Sequence, residues 1–504
     1  MNSGRRDRAA ALIRRGEAEA GAWRFRLDEA GWHGLVEALR DDPLPFVGLW
    51  SDGQGVHALF LERGESPLVA SVVPETGRYL GLSSVRPAAA LPERCLHDLW
   101  GIEAMDARDV RPWLDHGLWS STWPLGARPG PVSWPPDPPE FRPVPAVARM
   151  GGMVQGIGPA DGMHHAPGHL RLALTGGGIA GAEWRLGYAH RGLVSRLRGM
   201  EVAAAVRLVG RAAAGASVAH QAALCRAIEA ATDSAIGENA VRCRVMLAEI
   251  ERIATHLYDL SRIGRAAGAP ALATCCERLR EDVLHLCGQT FGHRMLMDLV
   301  VPGGLLEGDP ATLGAVAAQV AGRVGGMLRE IRRHLSWPGL AGRVHGCGAL
   351  TEAVARELGV GGVVGRASAR EDDVRRLEPG YRREWLDTGV RRGGDVAARI
   401  DQRIAEIGGS CRILEAARRG RMPEGAPRGV LRRQAGEGIG CAEGPRGTVW
   451  YWVRVADGAV RAIFPRDPAL THVTALEHVL DGADPEDAEL IVRSFGLSAA
   501  AADL

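Results

Sequence analysis

The sequence contains no lysine: all 61 basic residues among its 504 are arginine. That absence excludes a Schiff-base lysine and any phosphate-binding loop ending in Gly-Lys-Ser/Thr; a GC-rich genome is the plain origin of the bias. None of the nine cysteines forms a CxxC pair, and the adjacent Cys275 and Cys276 suit neither an ordinary disulfide nor a metal knuckle. An odd number of thiols in a long chain reads as free cysteines in a reducing cytosol. Aromatic residues make up 5% of the chain. The apolar mass is therefore Ala, Leu and Val, which favours closely packed helices. No apolar run approaches the ~18–20 residues of a membrane helix, so work at a membrane requires a docking partner. Residues 1–16 are polar and arginine-rich, without the apolar centre of a secretory signal. A net charge of +1, with no basic or acidic tail, argues against nucleic acid as a partner. No dinucleotide fingerprint is recognisable, so any NAD link runs through partners.

What is present is 46% apolar and 24% charged residues, the balance of a soluble globular protein, at a length that suits about two to four domains. From Trp23 to about Trp119 the pattern is a small α/β domain. Asp28 caps a helix through Leu39. Strands at Phe46–Trp50 and Val56–Glu62 flank a Ser-Asp-Gly-Gln-Gly turn. A further strand covers Leu68–Val73, and a helix follows Pro92. Nine prolines between Trp119 and Pro145 make a linker that forbids helix and sheet. A β-hairpin then spans His169–Leu174 and Ile179–Leu186. A helical region runs from about Val194 to His334, with Asp309-Pro310 opening its last helix. Another helix covers Asp395 to about Arg419, and strands at Thr448–Val455 and Val460–Phe464 form a final hairpin.

Several stretches resemble one family. Glu93-Arg94 with Asp98-Leu99-Trp100-Gly101-Ile102 resembles a signature of the C subunit of complex I. Gly158-Pro159, Pro167-Gly168-His169-Leu170-Arg171, Leu186-Gly187-Tyr188-Ala189-His190-Arg191-Gly192, Val218-Ala219-His220, Leu247-Ala248-Glu249-Ile250-Glu251-Arg252, Phe291-Gly292-His293-Arg294 and Gly444-Pro445-Arg446-Gly447 follow in one order. Together they are similar to hydrogenase-4 component G, the formate hydrogenlyase large subunit and the D subunit of complex I (NADH-quinone oxidoreductase). The resemblance implies an α+β chain: residues 1–118 an α/β domain like the complex I C subunit, 119–146 a proline-rich linker, and 147–504 a mainly helical bundle with β-rich ends. It further implies a peripheral protein on the cytoplasmic face of the inner membrane. Its partners would be an iron–sulfur small subunit, like the B subunit of complex I, and integral antiporter-like subunits.

Nickel–iron relatives hold their metal with two CxxC pairs. Counting from His220 and from Arg493-Ser494-Phe495, these positions carry Ala213, Ala216, Ser498 and Ala501. Four soft thiolates are needed, and neither alanine nor a lone serine replaces them, so the metal is expected to be absent. Arg211 keeps the family arginine, whereas Val194 stands where the family has glutamate. The resemblance leaves quinone as a possible cofactor. The matching loop runs from Asp161 to His169 with His164, His165 and His169, but Ala214 replaces the second headgroup contact. Closely spaced Asp161, His164, His165 and His169 can bind zinc, but no further ligand is identifiable, and a solvent-facing loop is the favoured reading. Glu249 or Glu251 fits a proton route, with at most one pointing inward; ordinary ion pairing is the alternative. His220 and His256 read as satisfied core histidines. By resemblance, His190-Arg191 lies beside the partner's terminal iron–sulfur cluster, where a cation raises its potential; the alternative is a buried ion pair. Two functions stay open: an electron-transfer or quinone-coupling subunit, and a non-catalytic scaffold. An open channel around Arg211, Ala213, His220 and Ser498 would favour the first, a filled cavity the second.

Overall fold

Asp28 has an extended backbone and accepts a hydrogen bond from the Gly31 N–H at 2.7 Å, so the chain turns into helix α2 (Glu29–Ala38) at the residue expected. The computed structural model describes residues 8–19, 21–63, 65–131, 152–160, 166–306, 310–386, 389–419 and 433–504. Helix α1 (Arg8–Arg14) and α2 cover a five-stranded sheet of β1 (Glu17–Ala18), β2 (Arg24–Leu27), β3 (Phe46–Ser51), β4 (Val56–Glu62) and β5 (Ser66–Val72), in the order β1-β2-β5-β4-β3. Within it only β2 and β5 run parallel. Helix α3 (Ala90–Trp100) starts two residues before Pro92, which sits in its first turn, where a missing N–H costs nothing. Two short strands flank it, β6 (Arg78–Leu80) and β7 (Glu103–Met105), paired in parallel. The proline-rich segment lies mostly outside the described residues. At its start, however, β8 (Ser121–Thr122) pairs with β9 (Gly130–Pro131), a short ladder where no sheet was expected.

Strands β11 (His169–Thr175) and β12 (Gly178–Arg185) form the expected hairpin, extended to three strands by β10 (Met153–Ile157). The helical region comprises α4 (Leu193–Leu197), α5 (Val202–Val209), α6 (Ser217–Ala231), α7 (Glu238–Ala266), α8 (Pro270–Phe291) and α9 (Pro310–Leu335). A small hairpin of β13 (Val300–Val301) and β14 (Gly304–Leu305) interrupts it. Asp309 lies outside the described residues. Asp395 caps α13 (Val396–Arg418) by accepting from the Ala398 N–H at 2.8 Å. Between α9 and α13 lie α10 (Pro338–Val344), α11 (Glu352–Glu357) and α12 (Gly362–Ala367). The C-terminal sheet has three strands where two were expected: β15 (Gly436–Gly444), β16 (Gly447–Ala456) and β17 (Ala459–Arg466). Helices α14 (Ala469–Leu480), α15 (Ala488–Phe495) and α16 (Ala499–Ala502) follow it.

The N-terminal sheet edge docks on this C-terminal sheet. Trp50 packs against Trp452 at 5.7 Å and Phe464 at 6.4 Å between ring centres. Around that apolar seam, Arg24 donates to Glu437 at 2.6 Å and Arg454 to Asp52 at 3.0 Å.

Strand β15 escaped the sequence reading because its pattern is glycine at every second residue, a weak strand signal. Packing explains it. Cβ atoms on Gly436, Gly438 and Gly440 would overlap the backbone of α6 at Ala231 and Ala227. The helix lies directly on bare backbone, and the neighbour cannot yield. Gly438→Ala is therefore expected to cost about 1–3 kcal/mol or more of stability through overpacking, read as a lower urea midpoint; an unchanged midpoint would refute the close contact.

Candidate functional site

Four turns converge on one small cavity: the turn after α5, the β15–β16 turn, the segment from β17 into α14, and the turn between α15 and α16. Its wall includes Ala213, Ala216, Arg446, Asp467, His472 and Ser498, and its volume is about 10 Å³. That is space for about one water molecule.

Arg446 is held from two sides. It donates to the Ala214 carbonyl at 2.8 Å and to Asp259 Oδ1 at 2.9 Å. Gly496, in the left-handed region at φ +69°, keeps the opposite wall thin: a Cβ there would stand 2.7 Å from Asp259 Oδ2. Asp467 accepts from the Ala469 N–H at 2.7 Å and pairs with His220 Nε2 at 3.1 Å, while His220 Nδ1 meets the Tyr451 hydroxyl at 2.7 Å. Burial pushes the His472 ring down to about 4, against the pull of Asp467 and together with the repulsion of Arg466 and Arg446.

Behind the cavity, α7 carries a buried ionic network into the bundle. Arg252, wholly buried, donates to the Glu443 carbonyl at 2.6 Å and to the Gly444 carbonyl at 3.0 Å. Arg366 bridges Glu406 and Glu443, each at 2.8 Å, and Glu406 also meets His256 Nε2 at 3.0 Å. Desolvation pushes the Glu406 carboxyl up, but Arg366, His256 and Arg252 outweigh it and hold the group well below the ordinary carboxylate range. For Glu249, Arg252 and Arg375 likewise outweigh burial, aided by the Tyr381 hydroxyl, which donates at 2.6 Å. Glu251 differs. It accepts the Val218 and Ala219 N–H groups at 2.7 and 3.0 Å at the start of α6, yet burial pushes its carboxyl up to about 8.

The expectation that at most one of Glu249 and Glu251 points inward is corrected: both are buried. Between Cys243 and Leu257 every residue of α7 but Ala248 is buried, so adjacent positions there both face protein. His220 and His256 are also buried and hydrogen-bonded, as core histidines. Ala213, Ala216 and Ser498 share the cavity wall, whereas Ala501 is buried on α16 and does not line it. Arg211 is exposed and pairs with Asp298 at 2.7 Å, outside the cavity. His190 stacks on Trp119 at 4.8 Å and bonds the Asp503 carbonyl at 2.6 Å through Nδ1. Arg191 donates to the carbonyls of Arg211, Ala212 and Ala500 at 2.6–3.0 Å. These bonds replace the ion pair offered as its alternative. His169 opens strand β11 and does not lie in a loop. Asp161, His164 and His165 lie outside the described residues.

Among the described residues, no group of three or more His, Cys, Asp or Glu side chains is arranged to hold a metal ion. The cavity wall does not fit a nickel–iron centre: where thiolates are required it offers two methyl groups and one hydroxyl. Sequence reasoning missed Asp259, Arg366, Arg403, Glu406, Asp467 and His472. The one available signal was charge placed inside otherwise apolar helices. Arg446 entered only through its turn motif.

Known proteins bear directly on this architecture. Residues 267–434 match the family described as respiratory-chain NADH dehydrogenase, 49 Kd subunit. The D subunit of F(420)H(2) dehydrogenase from Methanosarcina mazei is 28% identical over 349 residues, 66% of this chain and 93% of that protein. The D subunit of NADH-quinone oxidoreductase from Dehalococcoides mccartyi is 29% identical over 354 residues, 68% of this chain and 95% of that protein. Formate hydrogenlyase subunit 5 of Escherichia coli K12 is 27% identical over 435 residues, 81% of this chain and 74% of that protein. The chain is similar to these subunits over 66–81% of its length. Its fold matches a chain of the membrane-bound sulfane sulfur reductase, an archaeal respiratory membrane complex, with a TM-score of 0.65 at 21% identity over 70% of this chain and 98% of that chain. The architecture is thus the α+β fold of the 49 kDa and hydrogenase large subunits. The homologues are subunits of membrane-associated complex I-like and hydrogenase-like complexes.

Two outcomes test the electrostatics of this chain. Arg366→Met leaves Glu406 and Glu443 buried without their shared cation, and a loss of about 3–5 kcal/mol in denaturant unfolding is expected. The depressed His472 sets a pH window. The unfolded chain takes up a proton below its ordinary value of 6.5 while the folded ring stays neutral down to about 4. Stability is therefore full above that range and falls as pH drops through it, by up to about 3 kcal/mol. His472→Gln should lack this slope; parallel pH profiles for the two proteins would contradict it.

Proposed function

We propose that this chain is a subunit of a membrane-associated complex I-like or group 4 hydrogenase-like oxidoreductase complex, and that it keeps the large-subunit frame without hydrogen chemistry. The observation that carries this reading is the wall of Ala213, Ala216 and Ser498 around a cavity of about 10 Å³. A quinone headgroup does not fit that volume, and the wall lacks the sulfur donors that a nickel–iron centre needs. So small a cavity favours a scaffold and coupling role: residues 147–504 pack on an iron–sulfur small subunit like the B subunit of complex I, residues 1–118 add docking surface, and residues 119–146 join them. Among the described residues no helix is long and apolar enough to cross a membrane. Attachment would therefore run through integral antiporter-like subunits, on the cytoplasmic face.

A second reading, electron transfer or quinone-type coupling, is favoured by Arg191. Its guanidinium is fixed by three carbonyls and still exposed, a geometry suited to acting on a charge in a neighbouring subunit.

Purification of the intact assembly tests both. Expected are co-purification of an iron–sulfur subunit and nickel far below one per complex. Stoichiometric nickel with hydrogen evolution would end the proposal. In the same preparation Arg191→Ala should lower the reduction potential of the nearest cluster, since a nearby cation stabilises the added electron. An unshifted potential would remove the second reading and leave the scaffold.

A further inference from the structure

Two polar atoms in the cavity wall have no hydrogen-bond partner among the described residues: the hydroxyl of Ser498 and Nε2 of His472. Both side chains are at least 97% buried, with 3% and 1% of their surface exposed. A buried polar atom left unpaired is costly, and native interiors satisfy such atoms with protein or ordered water. Here no described residue supplies the partner.

The charges around the cavity narrow the choice of occupant. Arg446 is already matched by Asp259, and Asp467 by His220 and the Ala469 N–H. Arg446 and Arg403 share the one Asp259 carboxylate, and Asp467 faces the same space, so groups of both signs border it. A thiophilic metal would find too few donors. An apolar gas would leave both polar atoms unpaired. The volume of about 10 Å³ admits one small molecule with hydrogen-bonding capacity in more than one direction.

We infer that this cavity is a single-water site, in which the water bridges Ser498 Oγ and His472 Nε2. The proton inventory fits. The other nitrogen of His472 bonds the Gly361 backbone, and burial keeps the ring neutral, so Nε2 presents a lone pair. The water donates one hydrogen to Nε2 and exchanges a second hydrogen bond with the Ser498 hydroxyl, which both donates and accepts. Asp467 and Arg446 line the same cavity. The inference rests on the cavity alone and stands whether or not the chain joins the proposed assembly.

A crystal structure of the full chain, at a resolution that defines ordered waters, is the direct test. The expected result is one solvent peak about 2.6–3.2 Å from both Ser498 Oγ and His472 Nε2. An empty cavity, a direct Ser498–His472 hydrogen bond, or a peak with anomalous scattering from a metal would overturn the inference. In solution, a double-mutant cycle of Ser498→Ala and His472→Phe is expected to show a coupling of about five-fold in the unfolding equilibrium constant, the worth of one net hydrogen bond. Strict additivity would count against a shared water. The crystallographic measurement needs only the unmodified chain, so it stands if His472→Phe fails to fold.

Discussion

Buried arginine matched by buried carboxylate is the constraint on which the bundle depends. Arg252, Arg366 and Arg403 are wholly or almost wholly removed from solvent, and so are Glu249, Asp259 and Glu406. Each charge would cost several kcal/mol if left alone in that interior. The partners come from α7, α12, α13 and the β15–β16 turn, so the elements must assemble together for any of the charges to be paired. Arginine suits this role. Its planar fork reaches two acceptors at once, as Arg366 does with Glu406 and Glu443. A chain without lysine has taken every buried cation from the residue that forms such bridges.

That network also frames the cavity. Asp259 holds Arg446 in the cavity wall while Arg403 approaches it from behind at 3.4 Å. The cavity is thus the inner end of a polar interior, and small side chains close it. The frame surrounds alanine and serine: Ala213, Ala216 and Ser498 line the space beside Arg446 and Asp467.

The sequence made some of this legible and hid the rest for physical reasons. Caps at Asp28 and Asp395 were readable because an N-cap is a local interaction, decided by one side chain and an N–H three residues on. The β3–β4 and β11–β12 hairpins were readable from turn residues and alternation. Strand β15 was not, since its glycines answer to α6, more than 200 residues away in sequence at Ala227 and Gly440. The inward placement of both Glu249 and Glu251 was hidden too, because helical periodicity describes a helix with one wet face and the middle of α7 has none.

What the sequence determined by itself is chemical identity. Alanine and serine, with no thiol, stand at Ala213, Ala216, Ser498 and Ala501, and no folding of the chain changes that. It also determined which segments are helix or strand wherever the cause was local. Tertiary structure alone decided which distant charges meet, that Ala213, Ala216 and Ser498 share a wall while Ala501 does not, and that the space between them shrinks to the size of a water. Those outcomes arise from packing between elements remote along the chain, and packing acts on distance in space.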